Sequence, residues 1–201
     1  MKTILSSGRQ LICLFLLVSI NFTNAHAQNG PVIGQKAPSF RLKVLNKDQF
    51  INLDSIPESR IVVIEFWATW CGPCIQAFPH IDSLKQKFSN AGVDFLSITY
   101  ETNENKLNKF LAIHPLHTLV CMDQDLKMFK DYQAWAIPQT LIIDKKRNLV
   151  VSLYPTRITE QIIRDVLDGK PIDIPGNGHQ TYFDPKGAEE YFRKTEKDGK
   201  E

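Results

Sequence analysis

Between residues 40 and 169, short β-branched apolar runs alternate with longer stretches whose apolar residues recur every three or four positions. The runs read as strands, and the three-to-four spacing reads as helices with one buried face. Phe40 to Val44 and Gln49 to Leu53 predict two short strands around an Asn46-Lys47-Asp48 turn. Ile61 to Trp67 predicts a central buried strand. A helix should follow from Cys71 to Phe88, burying Ile75, Phe78, Ile81, Leu84 and Phe88. Pro79 inside that pattern predicts a kink, because its ring blocks a backbone bond. Asn90-Ala91-Gly92 should end the helix, and Val93 to Tyr100 reads as the next strand.

Asn103 can then cap a helix from Glu104 to Ile113, with Leu107, Phe110 and Leu111 on one face and His114-Pro115 as its stop. Leu119 to Met122 predicts a short strand, and Asp123 or Asp125 should start a helix reaching about Tyr132. Thr140 to Ile143 and Leu149 to Leu153 predict a hairpin around residues 144–148. Thr159 should cap a last helix that closes at Asp168-Gly169, with Pro171 beyond it. Strands alternating with helices make this an α/β chain.

The two ends have a different character. Lys2 and Arg9, the apolar stretch Leu11 to Ile20, and Ala25-His26-Ala27 read as a cleaved export signal over residues 1–27. Cys13 inside the apolar stretch follows Ile12 rather than a small residue, which argues against a lipid anchor. Residues 28–36 form a polar lead-in, 37–170 the folded domain, and 171–201 a tail with one candidate short helix at 185–194. The expected destination is the periplasm, as a soluble monomer. Without the leader, which holds two of the 24 basic residues and no acidic ones, the balance becomes 22 against 22. A neutral chain gives no electrostatic argument for nucleic acid.

Three cysteines remain after the leader: Cys71, Cys74 and Cys121. An odd number in an exported chain fits one pair plus a leftover better than a multi-bridge scaffold. Cys71 and Cys74 sit three apart where a helix begins. Backbone N–H groups converge there, which favours a thiolate and a dithiol–disulfide cycle. A bridge that only staples the turn would need the same spacing. The pair could also supply two zinc ligands, but a second cysteine pair is missing from the sequence, and copper carriers of related fold space their cysteines one residue further apart. Cys121 lies in an apolar stretch and reads as a small core residue, with a resolving thiol as the other reading. Glu65 shares a strand face with Val63 and Trp67 by alternation. Burial there would raise its pKa, whereas a strand-end position would let it reach water. Pro138 precedes a strand and is a candidate cis bond, with a trans turn proline as the alternative.

Three ordered stretches resemble the TlpA/ResA-like branch of thioredoxin-fold, AhpC/TSA-related thiol–disulfide oxidoreductases. They are Gly34-Gln35-Lys36-Ala37-Pro38-Ser39-Phe40, Glu65 to Cys74 (EFWATWCGPC), and Ile137 to Asp144 (IPQTLIID). The resemblance spans about residues 34–169. It implies a thioredoxin-like α/β fold with a central mixed sheet flanked by helices, an N-terminal β-hairpin and a central inserted strand and helix. It further implies Cys71 as nucleophile, Cys74 as resolving thiol, Glu65 as the acid serving Cys74, and a cis Pro138. Trp70, Gly72, Pro73 and Ile137 would form the surface that meets the substrate. Many members of the branch instead carry their acid three residues after the second cysteine, where this chain has Ala77.

The implied activity is disulfide reduction on protein substrates, with the Cys71–Cys74 disulfide as the redox group and no cofactor. A reducing protein in an oxidising compartment needs a membrane electron donor of the thiol-transferring type. Cytochrome c maturation is one client pathway the resemblance suggests. A redox-sensing or copper- or zinc-binding module without turnover is the alternative. A peroxidase is a further rival, because the Gly34-to-Phe40 stretch also occurs in peroxiredoxin-like chains.

Overall fold

The computed structural model describes residues 33–172, so the leader 1–27 and the 185–194 helix fall outside the described residues. Eleven strands and α-helices follow in chain order: β1 (Arg41–Val44), β2 (Phe50–Asn52), β3 (Ile61–Phe66), α1 (Gly72–Phe88), β4 (Val93–Thr99), α2 (Glu104–Ile113), β5 (Leu119–Met122), α3 (Lys127–Asp131), β6 (Gln139–Ile143), β7 (Leu149–Leu153) and α4 (Glu160–Asp168). The strands make one mixed sheet in the order β2-β1-β5-β4-β3-β6-β7. The parallel pairs β3–β4 and β4–β5 each need a crossover, which α1 and α2 supply. The remaining pairs are antiparallel, with the β1–β2 hairpin docked on β5 at one edge and the β6–β7 hairpin on β3 at the other.

β3 is buried along its whole length, and this explains its unbroken apolar run. On one face Val62, Ile64 and Phe66 join Leu42, Phe129 and Tyr132. On the other, Ile61 and Val63 pack with Ile81, Leu84 and Phe88 of α1 and Ile162, Ile163 and Val166 of α4. Each such side chain removed from water stabilises the fold by roughly 1.5–3 kcal/mol.

Among the described residues the expected strands and helices are present, most with ends within one residue of expectation, and two details differ, the inner stripe of α1 and the start of α3. Ile75 is only half-buried, and Cys74 and Ala77 complete the inner stripe of α1 instead. The helix runs unbroken through Pro79, whose missing N–H leaves the Ile75 carbonyl without its helical donor. α3 begins later than expected, at Lys127. Residues 123–126 are used by a turn, with Leu126 in the left-handed region at φ 59°, and Asp123 reaches across it to accept from the Phe129 N–H at 2.8 Å. Burial pushes the Asp123 carboxyl up to about 6 despite that bond.

Candidate active site

β3 ends at Phe66, and the chain turns over Trp67 to Trp70 before Cys71 caps α1. Cys71 and Cys74 are joined by a disulfide with their Cα atoms 5.3 Å apart. The Cys74 N–H donates to Cys71 Sγ at 3.2 Å, so one of the orphan donors of the helix start already points at the first sulfur. The same donor and the positive end of the helix would stabilise a thiolate on Cys71. Both sulfur-bearing residues are buried. Pro73 lies in the first helical turn, where its missing N–H costs nothing. Gly72 is exposed, and a Cβ built on it would meet nothing within 4 Å.

Glu65 is 1% exposed, and neither carboxylate oxygen has a hydrogen-bond partner. Burial, with the nearby Asp82 charge adding to it, pushes this carboxyl up to about 8. The strand-end position open to water is thereby overturned. A carboxyl in this state holds its proton at neutral pH and can act as an acid–base group. Across the sheet its direct partners are Thr140 on β6 and Ser97 on β4. Thr140 Oγ1 is likewise buried and unpartnered, while Ser97 Oγ bonds Thr118 Oγ1 at 2.6 Å.

The Ile137–Pro138 bond is cis. Gln139 pairs with Phe66, so Pro138 lies one residue beyond that pair, at the carboxyl end of β3 from which the Trp67–Cys71 turn emerges. Trp67 is core, stacked on Phe110 at 5.8 Å and edge-on to Phe78 at 5.3 Å. Trp70 is 43% exposed, and its indole N–H donates to the Tyr100 hydroxyl at 2.7 Å. Cys121 lies inside β5, and burial pushes its thiol up to about 12, as expected of a small core residue rather than a resolving thiol.

Sequence reasoning missed the residues that hold the turn. Glu101, just past β4, accepts from the Thr69 N–H at 2.6 Å and from Thr69 Oγ1 at 2.7 Å, and pairs with Lys106 at 2.9 Å. The available signal was positional: in open α/β sheets, functional groups gather beyond the carboxyl ends of the strands, where residues 100 and 101 lie.

The model of the AhpC/TSA family matches residues 33–152, more than half of the chain. The chain is 26% identical over 158 residues to the thiol-disulfide oxidoreductase ResA of Bacillus cereus, covering 77% of this chain and 90% of ResA. It is 27% identical over 174 residues to the thiol:disulfide interchange protein HelX of Rhodobacter capsulatus, covering 81% and 94%. Among solved structures, a candidate DsbE thiol:disulfide interchange protein from Chlorobium tepidum superposes with a TM-score of 0.57 at 26% identity, over 62% of this chain and 86% of that one. With the paired cysteines, the cis proline and the mixed sheet in place, the chain belongs to the AhpC/TSA family, as a thioredoxin-fold protein of its TlpA/ResA-like branch.

Proposed function

We propose that the chain works as an exported disulfide reductase on protein substrates, a finer role within the thiol–disulfide oxidoreductase class of its relatives. The observation that carries this reading is the Cys71–Cys74 pair at the start of α1, with the Cys74 N–H on Cys71 Sγ. In the dithiol state the Cys71 thiolate attacks a substrate disulfide, forming a mixed disulfide and expelling one substrate thiolate. The minor ionised fraction of Glu65 takes the Cys74 proton, as a base whose pKa of about 8 lies close to that of a thiol. The Cys74 thiolate then attacks Cys71 Sγ, closes the intramolecular disulfide and releases the second substrate thiolate. Two electrons pass from the dithiol to the substrate, and the proton rests on Glu65, whose raised pKa in the oxidised state suits it to keep one. Reduction returns that proton to Cys74.

Ile137, ahead of the cis Pro138, offers backbone to an extended substrate segment. Trp70 and the exposed Gly72-Pro73 step form the approach surface. No cofactor beyond the disulfide enters this scheme. The leader over 1–27 supports export to the periplasm, and a membrane thiol-transferring donor would recharge the dithiol. Cytochrome c maturation is one client pathway in keeping with the branch resemblance.

The Gly-Pro pair between the cysteines matches thioredoxin, at about −270 mV, rather than the oxidant DsbA at about −120 mV. Equilibration with dithiothreitol or glutathione, followed by tryptophan fluorescence, should give a potential near or below about −250 mV. A potential at or above the roughly −180 mV of protein disulfide isomerase overturns the reductase direction.

A further inference from the structure

The turn from Trp67 to Cys71 belongs to no ladder, yet it must hold Cys71 Sγ on the α1 helix start. Three of its residues are tied by hydrogen bonds to β4 and the residues just beyond it. The Trp67 N–H donates to the Ile98 carbonyl at 3.0 Å, and the Trp70 indole donates to Tyr100. The Glu101 carboxylate takes both the N–H and the hydroxyl of Thr69, two residues before the nucleophile. Glu101 is 7% exposed, and Lys106 from the first turn of α2 balances its charge. A nearly buried carboxylate costs several kcal/mol in lost hydration unless it is well paired. Here Lys106 and Thr99 Oγ1 supply part of that pairing, and the two shortest bonds go to Thr69 in the turn that leads to the reactive cysteine. A neutral residue of similar size would satisfy general packing without that cost.

We propose that Glu101 is a positioning residue for the Cys71 nucleophile, acting through Thr69 to hold the turn that places the sulfur at the start of α1. This rests on the reading of Cys71 as the attacking thiol. Misplacing a reacting group by about 1 Å can cost on the order of 100-fold in rate. Glutamine keeps a carbonyl acceptor for the Thr69 N–H, while alanine removes both arms of the clamp.

The test compares wild type, Glu101→Gln and Glu101→Ala, all fully reduced, by the pH dependence of iodoacetamide alkylation at Cys71. Each protein is also assayed for reduction of a protein disulfide with excess dithiothreitol. Glu101→Ala should slow alkylation at pH 7 by roughly 10-fold or more and move its pH profile upward. Glu101→Gln should restore most of the rate. A Glu101→Ala profile within twofold of wild type overturns the inference, even if its melting temperature falls, since a purely structural carboxylate would move stability alone. If Glu101→Ala does not fold, Thr69→Val deletes only the hydroxyl arm. A several-fold slowing then supports the inference, and wild-type behaviour overturns it. Wild-type protein that alkylates normally at Cys71 but reduces no protein disulfide defeats the proposed function while leaving the positioning role standing.

Discussion

Glu65 is the side chain whose chemistry departs furthest from its ordinary behaviour, and stability should report it directly. An ordinary glutamate titrates near 4.5, whereas this one is held up to about 8 by burial first and the Asp82 charge second. Between those values the folded chain keeps a proton that the unfolded chain has lost. The stability tied to that proton is complete below the ordinary value and drains away as pH rises through about 8, with a slope of at most about 1.4 kcal/mol per pH unit. Urea unfolding from pH 5 to 8.5 should show this fall in wild type, and Glu65→Gln should be flatter over the same range. Parallel curves would mean that Glu65 titrates as an ordinary carboxylate. Asp82→Asn should shift the fall to lower pH, because it removes the charge that disfavours ionisation. Gly72 makes the opposite case, a residue whose identity the fold does not require. A Cβ there meets no atom, so Gly72→Ala should leave melting unchanged or slightly raised. The same change should raise KM for a protein disulfide several-fold and spare a small disulfide, if this surface admits an extended chain. Equal effects on both substrates would remove Gly72 from the docking surface.

At the level of elements, α2 links the inserted region to the redox turn. Asn103 Oδ1 accepts from the Lys106 N–H at 3.0 Å, and the ammonium of that same lysine pairs with Glu101. Asn103→Ala should therefore cost about 1 kcal/mol by urea unfolding. A negligible loss would show that the packing of Leu107 and Phe110 holds the helix start unaided. The cap was legible in the sequence because capping is local, a polar residue just before a periodic run. The same holds for the Thr159 cap, whose hydroxyl accepts from Ile162 N–H, and for Gly169 at φ 68°. β3 and the Cys71–Cys74 turn were legible because their patterns are contiguous. The late start of α3 was not, since Leu126 adopts a left-handed conformation that nothing in its side chain favours. Nor was the Thr69–Glu101–Lys106 clamp, whose first two members lie 32 residues apart and meet only once β4 lies beside β3. The half-buried Ile75 departs from its apolar spacing for a related reason: the first turn of α1 follows the carboxyl end of β3, and the second cysteine takes the inward position there.

For the molecule as a whole, the direction of electron flow is a statement about which redox state folds more stably. The disulfide closes a loop of four residues, so it restrains the unfolded chain little, and the balance is set by the folded surroundings. Two influences oppose each other there. The α1 start and the Cys74 N–H favour a thiolate on Cys71, which stabilises the reduced state. Burial of both cysteines disfavours free charge and so favours the closed bond. In the oxidant DsbA the reduced form is the stabilised one. A reductase needs the reverse, a folded disulfide harder to reduce than the same bond in the unfolded chain. About 30 mV of that difference corresponds to about 1.4 kcal/mol of extra stability in the oxidised fold. Each kcal/mol raises melting by roughly 2–4 °C in a chain of this size. The oxidised protein should therefore melt several degrees above the dithiol form at pH 7, by calorimetry on samples with and without excess dithiothreitol. If the dithiol form melts higher, stabilisation of the Cys71 thiolate outweighs burial, and electrons flow from client to chain.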